Sequence, residues 1–307
     1  MPPVAVKAQV HADGAAGAGS NLLRVAADYV ALLKPRIILL LLVTELGAMI
    51  VAARGWPRIE VTLGSLLGGA MAAGGAGAIN CWFDRDIDAV MPRTRRRAIA
   101  AGRISPGAGL AFGITVALAG VVLVAVSSNV LAAALAAAGG LVYVFVYTMW
   151  LKRTTSQNIV IGGAAGAFPP LVGYAAVTGS LSPLAWVLFA IIFLWTPPHF
   201  WALALVLRRQ YAAANVPMLP VVVGGDRTRR AIVAYTIPML GASLVPWVWL
   251  GPIYGFAAIA AGGVFLALAW RASRTEDGHS AVTLFHYSLA YLALLFIAAS
   301  IAAVVPL

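Results

Sequence analysis

Residues 61–82 read VTLGSLLGGAMAAGGAGAINCW, and the chain continues Phe83-Asp84-Arg85-Asp86-Ile87-Asp88-Ala89-Val90-Met91-Pro92-Arg93-Thr94-Arg95-Arg96-Arg97. The first part carries no charge over a length that crosses a bilayer core, which takes about 20 apolar residues in a helix. The second part sets three carboxylates and a cluster of arginines at the mouth of that helix. Charge beside a bilayer is costly and is kept where it has work to do. The rest of the chain is built in the same way. Of its 307 residues 62% are hydrophobic and 10% are charged, against about a quarter charged in a soluble domain. The expected fold class is all-α, a polytopic membrane protein.

Nine apolar runs are long enough to span: approximately 37–53, 61–82, 108–126, 130–151, 158–178, 183–207, 231–250, 253–270 and 284–306. Short links such as Ser127-Ser128-Asn129 and Gly251-Pro252 predict tight helical hairpins. All of the 21 lysines and arginines except Arg54 and Arg58 fall on alternate loops or before the first run. By the positive-inside rule the N-terminus is cytoplasmic and the C-terminus outside. The net charge of +11 is thereby a matter of topology, and the expected partner is a lipid bilayer, with no nucleic acid. One cysteine, Cys81, excludes an intramolecular disulfide framework. Residues 1–30 predict a disordered or poorly ordered cytoplasmic tail, and 31–307 a single nine-helix domain. The first 20 residues have no sustained apolar core, no arginine and one aspartate, Asp13. They do not read as a signal or transit peptide, which favours a bacterial inner-membrane protein.

Asn80, Asp84 and Asp88 are spaced i, i+4, i+8, along one helical face; Asp86 points elsewhere. Two carboxylates one turn apart can hold Mg²⁺ with positions left for phosphate oxygens. Arg93 and Arg97 stand beside them, and guanidinium binds phosphate through paired donors. The bland alternative is a solvated helix end with acids paired to arginines. Lys152 and Arg153 close the fourth run, where they serve either topology or the same phosphates. His199, in Trp195-Thr196-Pro197-Pro198-His199-Phe200-Trp201, and His286, in Leu284-Phe285-His286-Tyr287, are packing residues or haem contacts, since haem iron is commonly held by His. The Pro197-Pro198 pair predicts a break in the sixth helix. The glycine-rich stretches at 68–77 and 162–166 predict close helix packing. Residues 208–220 predict a structured loop that could fold over the membrane mouth.

These motifs resemble the UbiA-type intramembrane prenyltransferases, whose first Asp-rich motif matches Asn80-x-x-x-Asp84-x-x-x-Asp88. The branch that the remainder resembles is the protohaem IX farnesyltransferases (haem O synthases). The matching segments are 86–94, Tyr147-Thr148-Met149-Trp150-Leu151-Lys152-Arg153, Asn158 to Gly163, 195–201, and Val216-Pro217-Met218-Leu219-Pro220. The resemblance runs from about Leu33 to the C-terminus. It implies nine helices around a central cavity open to the cytoplasmic side. It also implies transfer of a farnesyl group from farnesyl diphosphate to a vinyl group of haem b, with Mg²⁺ as cofactor. The product, haem O, serves terminal oxidases, so haem A synthase and oxidase assembly factors are the implied downstream partners. Two positions depart from the pattern. Gln210 stands where the branch keeps an Asp in the second acidic motif, which puts a second metal in doubt, and Ala98 replaces a usual Pro. The competing readings are a prenyltransferase for another aromatic acceptor, a transporter of an anionic substrate, and a non-catalytic lipid- or haem-binding factor. A transporter would carry its sites near the midplane, at broken helices in two repeated halves. Here the charges gather at one face.

Overall fold

The computed structural model describes residues 22–305. Helix α1 covers 22–32 and is followed by α2 (Pro35–Ala53), α3 (Ile59–Phe83), the short α4 (Arg85–Val90) and α5 (Pro106–Ser127). Then come α6 (Val130–Thr154), α7 (Asn158–Thr178), α8 (Pro183–Val206), and the short α9 (Arg208–Ala213) and α10 (Leu219–Val222). The chain closes with α11 (Gly225–Leu244), α12 (Trp247–Arg274) and α13 (Gly278–Val304). Among the described residues there are nine long helices and no strand. Eight of them are long and apolar enough to cross a membrane. The ninth, α11, opens on Asp226, Arg227, Arg229 and Arg230 and is apolar only beyond them.

Three expectations are corrected. The first is the tail. Residues 1–21 lie outside the described residues, but 22–30 belong to α1. That helix is tied down by Asp28, which accepts from Arg103 at 2.8 Å, by Tyr29 against Phe112, and by the buried Leu32. The second is the seventh span, expected at 231–250. Its helix runs Gly225–Leu244, and Val245-Pro246 turns the chain. Gly251, at φ 72°, turns it again, which brings Trp247 against Gly255, where a Cβ would lie 2.2 Å from the indole. The third is the Pro197-Pro198 break. Helix α8 runs straight through the pair, with α7, α11 and α13 packed along it. In a bundle the neighbours tolerate the lost donors.

Packing follows residue size. α3 lies against α5 with almost nothing between the backbones. A Cβ on Gly75 would sit 2.4 Å from the Ala117 amide nitrogen, and one on Gly120 2.4 Å from that of Ala72. α7 contacts α2, α6 and α8; α13 contacts α2, α8 and α12. The largest side chains, among them Trp201, Tyr254, Phe265 and Tyr291, fill the seam between α8, α11, α12 and α13. The outward faces carry exposed Leu118, Val122 and Val126 on α5 and Leu294, Ile297 and Ile301 on α13. Apolar faces of this size suit lipid and not water.

The second half of α6 changes the site. Residues Val142–Leu151 form a π-helix. In an α-helix residues five apart are turned about 140° from each other. The i→i+5 ladder brings them back to one face. Tyr143, Thr148 and Lys152 therefore all reach toward the end of α3.

Candidate active site

Helix α3 does not stop cleanly at Phe83. Asp84 donates its amide to the Asn80 carbonyl at 2.9 Å, and Asp88 donates to the Asp84 carbonyl at 2.8 Å. The i, i+4 ladder thus passes through the bend into α4, and Asn80, Asp84 and Asp88 keep one phase. All three are buried, with Asp84 at 0% and Asp88 at 2% exposure. Buried carboxylates persist only with partners, and each has cationic ones. Lys152 donates to Asp84, and Arg153 lies 3.4 Å from its other oxygen. One guanidinium nitrogen of Arg97 straddles both oxygens of Asp88 at 2.9 and 2.8 Å. Arg153 also holds Asp86 through two 2.7 Å bonds, which pull that carboxyl down to about 2. Burial works against the charge of Arg97, but Asp88 outweighs it and holds the guanidinium above its ordinary range.

The amide of Asn80 joins the two sides. Its Nδ2 donates to Asp84 at 2.7 Å and to Thr148 at 3.1 Å, while its Oδ1 accepts from Lys34 at 2.6 Å. Lys34 also donates to the Tyr143 hydroxyl at 3.2 Å. Lys34 precedes Pro35 and adopts φ 56°, a left-handed conformation that is costly for a side chain with a Cβ. The strain turns the lysine inward at the start of α2. On the open side Arg93 donates to the Tyr211 hydroxyl at 2.8 Å, so α9 is fastened over the acid helix. Ile87, Met91, Ile159, Val216 and Met218 pack beneath that cover. The expected loop over the mouth is thus two short helices closed onto α4.

The donor set fits Mg²⁺ in a limited way. Asp84 and Asp88 supply hard oxygens on one face, and each already binds a cationic nitrogen. Among the described residues no group of three His, Cys, Asp or Glu side chains is placed to hold a metal. Two carboxylates suffice only where phosphate and water complete the shell.

This arrangement matches a known family over most of its length, with residues 41–303 fitting the UbiA prenyltransferase family. The chain belongs to that family. Curated relatives include the protoheme IX farnesyltransferases of Acidiphilium cryptum, 50% identical over 88% of this chain and 89% of that protein, and Gloeobacter violaceus, 52% identical over 89% and 91%. The Roseiflexus protein of the same name is 51% identical over 91% of this chain, which spans only about half (52%) of it. Two solved structures share the fold. A digeranylgeranylglyceryl phosphate synthase superposes with a TM-score of 0.75 at 16% identity, over 92% of this chain and 99% of that one. A UbiA homolog from Archaeoglobus fulgidus bound to GPP and Mg²⁺ gives 0.62 at 14% identity, over 89% and 99%.

Within this UbiA prenyltransferase the structure brings Asn80, Asp84, Asp88, Arg97, Lys152 and Arg153 together, with Arg93 at the rim. His199 is buried on the inner face of α8, next to Phe200, which packs with the cluster under α4. His286 stands apart, exposed on the outer face of α13. Gln210 lies on α9 beside Tyr211, with its Oε1 buried and without a partner. Sequence reasoning missed Lys34, Tyr143 and Thr148. Lys34 read as one more loop cation, and only its place before a proline set it apart. Tyr143 and Thr148 reach the site because of the π-helix. At this end of the bundle Lys34, Tyr143, Thr148 and Lys152 converge on Asn80 and Asp84 through a chain of hydrogen bonds. A cleft of about 490 Å³ lies between the ends of α8, α11, α12 and α13.

Proposed function

We propose that this UbiA prenyltransferase transfers a farnesyl group from farnesyl diphosphate to a vinyl group of haem b, giving haem O and diphosphate. The observation that carries the diphosphate half is the buried ladder of Asn80, Asp84 and Asp88, ringed by Lys34, Arg97, Lys152 and Arg153. The haem half rests on the roughly 50% identity to protoheme IX farnesyltransferases across most of the chain.

Asp84 and Asp88 would hold Mg²⁺, which screens the charge of the diphosphate. Lys152, Arg153, Arg97 and Arg93 supply donors to the phosphate oxygens. As the allylic C–O bond breaks, the electron pair stays on the departing oxygen, and these donors meet the growing charge. The bundle keeps water from the farnesyl cation until the vinyl π pair has attacked it. Water then adds to the new cation beside the macrocycle and loses a proton, giving the hydroxyethylfarnesyl group. His199, the buried histidine of α8, would meet the iron. Gln210 offers no carboxylate, so a second metal has no anionic ligand from that position.

The site belongs to one domain, residues 31–307, in a bacterial inner membrane, with its acids at the cytoplasmic end, the N-terminus inside and the C-terminus outside. Haem O would pass to haem A synthase or to oxidase assembly factors. The test is incubation of the purified protein in lipid nanodiscs with haem b, farnesyl diphosphate and Mg²⁺, read by mass spectrometry. Haem O is the expected product. Prenylation of another aromatic acceptor with haem b untouched would overturn the acceptor assignment. Reporter fusions after Arg103 and Leu307 check orientation, and a cytoplasmic C-terminus would refute it.

A further inference from the structure

His199 is held by more than packing. Its ring lies between Trp195, 4.2 Å away and 17° from parallel, and Phe285, at 4.7 Å and 24°. Trp195 is itself fixed, because its Nε1 donates to the Ser288 carbonyl at 2.8 Å. The hydroxyl of Ser288, fully buried on α13, completes the arrangement. Its Oγ is 2.6 Å from His199 Nδ1 and 2.6 Å from the Phe285 carbonyl oxygen.

A hydroxyl has one proton and a carbonyl oxygen only accepts. The Ser288 proton therefore goes to Phe285, and its lone pair faces the imidazole. His199 Nδ1 must then be the donor. Among the described residues no acid touches the ring, and its neighbours are aromatic, so it is neutral. A neutral imidazole with a proton on Nδ1 carries a free lone pair on Nε2. That nitrogen has no hydrogen-bond partner among the described residues. Metal-binding histidines show the same design, in which the far nitrogen donates to a fixed acceptor and the near one is aimed.

We propose that Ser288 is a positioning residue that locks His199 in its Nδ1–H tautomer and presents Nε2 to the iron of the haem substrate. The inference rests on the haem reading above for its ligand, though not for the tautomer. Phe200, adjacent to His199, packs against the apolar cluster to which Ile87 and Met91 of the acid helix belong, so iron and diphosphate would occupy neighbouring regions of one site.

Two measurements test it. In nanodiscs without haem, ¹⁵N-histidine spectra report which ring nitrogen is protonated, with His199 assigned by its loss in His199→Gln. The expected pattern is protonated Nδ1 and bare Nε2; the reverse overturns the inference whatever the substrate. In haem b titrations followed by the Soret band, Ser288→Ala should weaken binding by about tenfold or more and lose the histidine-ligated spectrum. Ser288→Thr, which keeps the hydroxyl, should retain both. Trp195 still bonds to the backbone of residue 288 in each variant, and unchanged farnesyl diphosphate binding checks the fold. A parental spectrum and affinity in Ser288→Ala overturns the positioning role. A parental spectrum in His199→Gln overturns the iron contact itself, and with it that part of the proposed function.

Discussion

Asp84→Asn keeps the shape of the side chain but removes its charge and exchanges one acceptor oxygen for a donor NH₂, so its cost can be worked from the contacts. The carboxylate is fully buried and meets Lys152, Arg153 at 3.4 Å and Asn80 at 2.7 Å. Arg153 keeps Asp86 as a partner. Lys152, with its side chain only 15% exposed, keeps none. Breaking one side of a buried ion pair costs ~3–5 kcal/mol. The lower end applies here, because only one cation is orphaned and it has a little solvent access. A loss of about 3 kcal/mol lowers the unfolding midpoint by roughly 5 °C in a chain of this size. Turnover should fall further than stability explains, by on the order of 10²–10³, the usual loss for a charge-stabilising group. The double variant Asp84→Asn, Lys152→Met removes both partners and should recover most of the stability. It should stay inactive. Thermal unfolding by tryptophan fluorescence and haem O formation at saturating Mg²⁺ separate the two effects. A midpoint unchanged within about 2 °C refutes the buried pair. Near-parental turnover in either variant refutes the metal role of Asp84.

Arg97→Lys should leave stability almost unchanged, since a single guanidinium nitrogen spans Asp88 and an ammonium can replace it. The fork left for phosphate is lost, so the KM for farnesyl diphosphate should rise by about tenfold with haem b affinity constant; an unchanged KM would remove Arg97 from the diphosphate site. Gly120→Leu drives a side chain into the backbone of α3 at Ala72 and Gly68 and should cost at least ~1–3 kcal/mol, whereas unaltered thermal stability would mean that α3 and α5 separate easily. Mg²⁺ and a non-hydrolysable farnesyl diphosphate analogue should each tighten the other's binding by about tenfold in calorimetric titrations, and independent affinities would contradict this.

Much of this was legible in the sequence, for reasons that differ between elements. Span positions follow from the length of apolar runs, which the bilayer dictates, and eight of nine fall where composition alone places them. The phase of Asn80, Asp84 and Asp88 survives because the i, i+4 ladder continues through the bend at Asp84, a result that spacing could anticipate. The π-segment was not legible. Val142–Leu151 is ordinary in composition, and only the register shift brings Tyr143 to Lys34 and Thr148 to Asn80. Lys34 was hidden by the topology rule itself, which explains any loop cation without asking where it points. His199 and His286 looked equivalent as lone histidines in apolar helices, and only helix rotation separates the sandwiched one from the exposed one. Residues 231–250 misplaced α11 because hydropathy ignores Pro246 and the left-handed Gly251, which between them decide where the chain turns.

The acids and cations of this site pair with each other, and on the proposed function that sets a condition on how substrate would enter. Asp84 holds Lys152 and Asp88 holds Arg97, and both carboxylates are buried. Mg²⁺ alone would have to take Asp84 from Lys152 and leave a buried ammonium unpaired. A diphosphate alone would have to draw Lys152 and Arg97 away and leave two buried carboxylates facing an anion. Either half-reaction carries the penalty of an uncompensated buried charge. On the proposed function, when both arrive the partners would be exchanged: the carboxylates would turn to the metal and the cations to the phosphate. Little new desolvation is needed, because the protein groups have already left water. The coupling arises from the ion pairs themselves, so it should shrink in Lys152→Met, where Asp84 has lost its nearest competitor for the metal.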